Sequence, residues 1–132
     1  MEVILLMSGF MIPTFMYAFL WHLVWFKSIY KKIGLYDREK PILPFGVVTT
    51  FIQGAIFATL FLHFDIDLPA IQKALFLALL LGLFEFCSSA LAFAAKRKIE
   101  RLDQWILIQF MLSITIFPIA GTIAVLGWSI YK

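Results

Sequence analysis

Four side chains have the chemistry to hold a proton or a ligand within an otherwise apolar sequence: His22, Gln53, Glu85 and Gln109. Glu85 is the most demanding, because it stands in the middle of an apolar run from Leu68 to Ala95. A charged group at that depth in a bilayer costs roughly 2.5 to 3.5 kcal/mol on insertion scales, so it is kept for a partner or a task. On a helix the positions three, four and seven away share its side, and here these are Ala78, Leu81, Gly82, Ser88, Ser89 and Ala92. Small, polar faces of this kind turn toward neighbouring helices, which predicts an internal Glu85. Gln53 has Gly46, Thr50, Gly54 and Ala58 near it, His22 has Thr14 and Ala18, and Gln109 has Ser113 and Ala120. At a rise of about 1.5 Å per residue, Glu85 and Gln53 stand roughly 13 to 15 Å from one end of their helices, and His22 and Gln109 roughly 7 to 8 Å. The four faces are expected to meet in one connected polar layer, open toward that end.

Such a layer has three readings. Amide and hydroxyl side chains join membrane helices through hydrogen bonds worth about 0.6 kcal/mol on average, and a protonated Glu serves equally well. A ligand or proton site would use Glu85, with His22 as its more exposed neighbour. A contact with a partner subunit is the third. A metal site in the layer would have only His22 and Glu85 to draw on, too few for a set. On the other side, His63-Phe64-Asp65-Ile66-Asp67 would place His63, Asp65 and Asp67 on one side of an extended segment as an outer metal candidate. The same residues also suit a solvated loop, with Asp67 capping the helix that follows. The chain has no Gly-rich phosphate loop, no His-Glu-x-x-His, no Cys-x-x-Cys and no nucleophile elbow, so no enzymatic motif and no cofactor is implied. Its single cysteine, Cys87, excludes an intramolecular disulfide.

The elements that must position these groups follow from composition. Hydrophobic residues make up 63% and charged residues 14%, against about 45 to 50% and about 25% in soluble domains. Four apolar runs, at about 3–26, 44–64, 69–95 and 104–131, each have the length needed to cross a bilayer and leave no room for a soluble domain. The fold class is therefore all-α: a polytopic four-helix transmembrane bundle forming a single domain. Pro13, Pro118 and Gly121 mark expected bends or close packing points. The first run lacks the basic start of a signal peptide and is read as a retained helix.

Basic residues in the connections set the orientation. Lys27, Lys31, Lys32, Arg38 and Lys40 lie in the first connection, and Lys96, Arg97, Lys98 and Arg101 in the third, nine of the eleven in the chain. Loops 27–43 and 96–103 are therefore expected in the cytoplasm, with both termini outside. The net charge of +3 reports topology, not nucleic-acid binding. Trp21, Trp25, Tyr30 and Trp105 are expected at the cytoplasmic interface, and Trp128 and Tyr131 at the outer one. The segment from Lys27 to Pro44 alternates basic residues with Ile, Tyr and Leu, which suits the membrane surface or a cytoplasmic docking partner.

Trp21-His22-Leu23-Val24-Trp25-Phe26-Lys27-Ser28-Ile29-Tyr30, with Pro44-Phe45-Gly46 and Gln53-Gly54, resembles small bacterial four-helix integral membrane proteins of unknown function. In those a Trp followed by His or Tyr ends the first helix, with Phe, Lys and an aromatic residue shortly after. The resemblance implies a four-helix bundle in a bacterial inner membrane and no particular activity. It implies that Trp21, His22, Phe26, Lys27, Gln53 and Gly54 are family positions. Small multidrug transporters carry their intramembrane Glu in the first helix, where this chain has no mid-span carboxylate, and the polar track of fluoride exporters is missing.

These readings converge on an accessory or structural subunit, either of a larger membrane complex or of its own oligomer, with the lipid bilayer and other membrane subunits as partners. The alternative is a small proton-coupled transporter or channel using Glu85. The third is a membrane enzyme acting on a lipid or quinone-like substrate, which would require His22 as well.

Overall fold

The computed structural model describes residues 1–34 and 40–132. Arg38, counted above with the basic residues of the first connection, lies outside the described residues. Helix α1 (Glu2–Leu20) runs directly into a π-helical turn, Trp21–Trp25, and is followed by the short α2 (Lys27–Ile33). Helix α3 (Leu43–His63) returns, and α4 (Ala70–Glu85) is prolonged by a second π-helical turn, Phe86–Leu91, and by α5 (Ala92–Ala94). Helix α6 (Leu102–Tyr131) completes the chain. Four stretches, Glu2–Trp25, Leu43–His63, Ala70–Ala94 and Leu102–Tyr131, are long and apolar enough to cross a membrane.

In lipid, packing and not water exclusion holds helices together, so residues that let backbones approach matter most. Glycines occupy those positions. A Cβ placed on Gly9 of α1 would lie 2.8 Å from the Ala124 Cα of α6, and one on Gly54 of α3 would lie 2.8 Å from the Met7 carbonyl of α1. At the α4–α6 contact a Cβ on Gly82 would lie 2.7 Å from the Ser113 carbonyl, and one on Gly121 would lie 2.9 Å from the Ala78 Cβ. Aromatic rings fill the centre: Phe10 stacks on Phe57 at 4.5 Å between centroids, and Phe117 of α6 lies 5.8 Å from Phe10. Tyr17 donates a hydrogen bond to Thr115 Oγ1 across the α1–α6 contact. Helix α1 thus packs against α3 and α6, and α4 packs against α6, whereas α3 and α4 touch only sparingly. The bundle is a ring of α3, α1, α6 and α4 with a loose seam where its ends meet.

The two helices with an interior proline, α1 and α6, continue through Pro13 and Pro118. A missing N–H leaves a carbonyl without its helical donor, and membrane helices recover such losses through nearby Ser and Thr hydroxyls. The Thr14 and Thr122 hydroxyls do not serve in this way: each bonds the carbonyl four residues before itself, Phe10 at 2.7 Å and Pro118 at 2.8 Å, whereas the carbonyls freed by Pro13 and Pro118 are those of Gly9 and Ile114. Asp67 does not cap the third span. Pro69 is the N-cap of α4, and no side chain bonds the first turn. A capping side chain must come from the residue flanking the helix to reach the N–H groups two or three positions on, and Asp67 stands too early.

The segment after the first span is ordered as a helix on the bundle. In α2 Tyr30 and Ile33 are buried, at 1% and 4% exposure, while Lys27, Lys31 and Lys32 face outward. Trp21 is also buried, stacked on Tyr17 and meeting Phe26 at a tilt, so both Trp21 and Tyr30 pack into the bundle. Only Trp25 of that group is well exposed. Gly34 closes α2 at φ 74, with its N–H bonded to the Lys31 carbonyl. No heavy atom lies within 4 Å of a Cβ added there, so Gly34→Ala would pay for backbone conformation alone, about 1 kcal/mol. Amide exchange at Tyr30 and Ile33 should quicken roughly five-fold through fraying of α2; unchanged exchange would count against this cap.

Candidate functional site

The groups singled out from the sequence assemble as two clusters at the end of the bundle where α1 and α4 finish. The first lies in the seam. Gln53 Nε2 of α3 donates to Glu85 Oε2 of α4 at 3.5 Å, the outer limit of a hydrogen bond. Both residues are half-buried. They line a groove of about 260 Å³ in which α3 contributes Thr49, Ile52, Gln53 and Ile56, α4 contributes Leu81, Phe84 and Glu85, and Phe117 of α6 lies behind. A larger hollow of about 330 Å³ on the outer side of α3, between Phe51, Ala55 and Leu60, is almost wholly apolar and bears on no candidate residue.

The small face predicted around Glu85 is only half turned inward. Ala78 and Gly82 are buried against α6, whereas Ser88 and Ser89 are exposed. The cause is the π-helical turn that begins at Phe86: a turn closed by i→i+5 bonds advances less per residue than an α-helix, so the register slips. Ala90 takes the inward position, and the two hydroxyls bond their own backbone, Ser88 to the Phe84 carbonyl and Ser89 to the Glu85 carbonyl. Glu85, which precedes the turn, lies half-buried at the edge of the seam beside Gln53.

The second cluster lies beneath α2. Gln109 Nε2 of α6 donates to Tyr30 Oη at 2.7 Å, both side chains being buried. The His22 ring is 5.0 Å from that of Tyr30, and Trp105 meets Tyr30 edge-on at 6.1 Å. His22 thus stands with Tyr30 and Gln109, and Glu85 with Gln53, in place of the single connected layer read from the sequence. Tyr30 is the residue that sequence reasoning missed. Its signal was present: Ile29, Tyr30 and Ile33 recur at helical spacing, with Lys27, Lys31 and Lys32 on the other side.

At the opposite end His63, Asp65 and Asp67 are all exposed. Among the described residues no three His, Cys, Asp or Glu side chains converge in a way that would hold a metal ion. The two π-helical turns follow or include the candidate residues, Trp21–Trp25 containing His22 and Phe86–Leu91 beginning right after Glu85. Such turns leave carbonyls with altered partners, and Trp105 Nε1 donates to the Ala90 carbonyl at 3.5 Å.

This arrangement can accept hydrogen bonds or a cation from the side of the bundle, at the seam. Beneath α2 it can lock a connecting helix onto the spans. Compared with known proteins, the chain matches no family model, no curated protein and no solved structure.

Proposed function

We propose that this chain is a non-enzymatic subunit of a membrane assembly, either a larger complex or its own oligomer, with the basic connections in the cytoplasm of a bacterial inner membrane and both termini outside. The observation that carries the reading is the division of labour among its surfaces. The interior is occupied by Phe10, Phe57, Phe117 and the glycine contacts, so one copy has its free polar chemistry on its flank. Among the described residues, eight basic residues flanking the same bundle end support the orientation. The experiment is extraction in mild detergent followed by native mass spectrometry. Stable association with other polypeptides or with further copies is the expected result; a lone monomer across detergents of different mildness would overturn it.

A second reading has its own observation. Glu85 and Gln53 open sideways, which suits a small transporter built from several copies and using Glu85. Glu85→Gln separates the two. As a subunit the variant should fold and assemble, with stability changed by less than about 1 kcal/mol, because the bond it alters is already weak. As a transporter it should lose Glu85-dependent solute or proton movement in liposomes while its melting temperature stays unchanged.

A further inference from the structure

The seam between α3 and α4 has the build of an amphiphile site. Depth along both helices orders its lining. The polar groups Thr49, Gln53 and Glu85, flanked by Ile52 and Phe84, lie on the side of the bundle end where α4 finishes, and the deeper lining, Ile56, Leu81 and Phe117, is wholly apolar. That is the polarity of a lipid in the adjoining leaflet, with the head toward the surface and the chain toward the midplane. The groove is reached from the side, because α3 and α4 are the neighbours that touch least.

Its chemistry selects the head. Among the described residues the Glu85 carboxylate bonds Gln53, through one oxygen and at 3.5 Å. With the Gln53 amide turned to donate, Glu85 Oε1 and Gln53 Oε1 remain as acceptors. Two acceptors, one on a carboxylate, fit an ammonium, which brings three donors and the opposite charge. A phosphate or carboxylate head would meet Glu85 as a like charge. Volume selects the tail: about 260 Å³ holds roughly nine groups the size of a water molecule, enough for an amine and the first part of one chain.

We propose that the slot between α3 and α4 binds a single-chain amphiphile with a primary amine head, the ammonium held by Glu85 and Gln53 and the chain lying along Ile56, Leu81 and Phe117. The site goes beyond the assembly reading and does not depend on it, since a subunit and a free-standing bundle present the same flank.

The test uses the full chain in nanodiscs of zwitterionic lipid, titrated with dodecylamine and followed by calorimetry. Wild type should show saturable binding near one amine per chain. Dodecanol and dodecyltrimethylammonium, lacking the charge and the N–H donors respectively, should each bind at least ten-fold more weakly. Glu85→Gln should lose at least ten-fold in affinity. Leu81→Trp, which fills the slot and leaves the carboxylate in place, should abolish saturable binding with Glu85 intact. Unsaturable uptake, equal in wild type and Glu85→Gln, is bilayer partitioning and overturns the proposal. Undiminished binding by Leu81→Trp overturns it too. No saturable binding, together with a carbodiimide-formed amide between Glu85 and a lysine of a copurifying polypeptide, would overturn it and give the slot to a protein.

Discussion

Replacing Gly82 with alanine is expected to destabilise the bundle by about 1 to 3 kcal/mol, the usual cost of forcing an extra methyl group into a packed contact. The new Cβ would lie 2.7 Å from the Ser113 carbonyl oxygen and 3.5 Å from the Phe117 Cβ. The first of these is backbone in mid-helix, so relief requires α4 and α6 to separate along their length. Separation is costly because α4 has α6 as its main neighbour and only a loose contact with α3. In lipid no hydrophobic gain compensates for the lost van der Waals contact. Gly82→Leu should yield no folded bundle. Gly54→Ala, whose Cβ would meet the Met7 carbonyl at 2.8 Å, acts on the α1–α3 contact instead. The two alanine effects should therefore add within about 0.5 kcal/mol. Gly127 is the control, with no heavy atom within 4 Å of an added Cβ; alanine there should be neutral or stabilise by up to about 1 kcal/mol through helix propensity. Reversible unfolding in mixed micelles measures all four, and equal stability of Gly82→Ala and Gly127→Ala would refute the close-approach account.

The same contacts show why some of the architecture was legible beforehand. Apolar length depends on composition alone, so the four spans could be read from the runs around Phe10, Phe57, Leu77 and Phe117 without knowing a single contact. Helical spacing also placed Gly54 beside Gln53 and Gly82 beside Glu85 on close-packing faces, and both glycines meet a neighbouring backbone. The order of helices around the ring was not legible. It depends on which small residue faces which backbone, and periodicity is silent on pairing. Nor was the slip after Glu85. An α-helical wheel carries Ser88 and Ser89 to the inner face, but the π-helical turn Phe86–Leu91 turns them out. Glu85 stands before that turn, and its place at the seam follows from the face of α4 on which Ala78 and Gly82 are buried against α6.

Tyr30→Ala should cost about 3 to 5 kcal/mol, as truncation of a fully buried aromatic does, and should release α2 from the bundle. Tyr30 is 1% exposed and is held by Gln109, by the His22 ring and by the edge of Trp105. Hydrogen exchange across Lys27–Ile33 is expected to lose its protection while exchange in the spans is kept. The hydroxyl can be separated from the ring. Tyr30→Phe keeps the packing and strands the buried Gln109 amide, a loss of about 1 to 3 kcal/mol. Adding Gln109→Leu removes the stranded donor, so the double variant should recover most of that loss. A double-mutant cycle reads the coupling directly. If Tyr30→Phe is as stable as wild type, the 2.7 Å bond to Gln109 contributes nothing, and ring packing alone fixes α2. If the double variant instead falls by the sum of the single losses, the two residues act independently and the buried pair is not the lock. The lock matters because α2 carries Lys27, Lys31 and Lys32. Holding Tyr30 down fixes where those charges stand relative to the bundle end, and so what a partner or an anionic surface meets there.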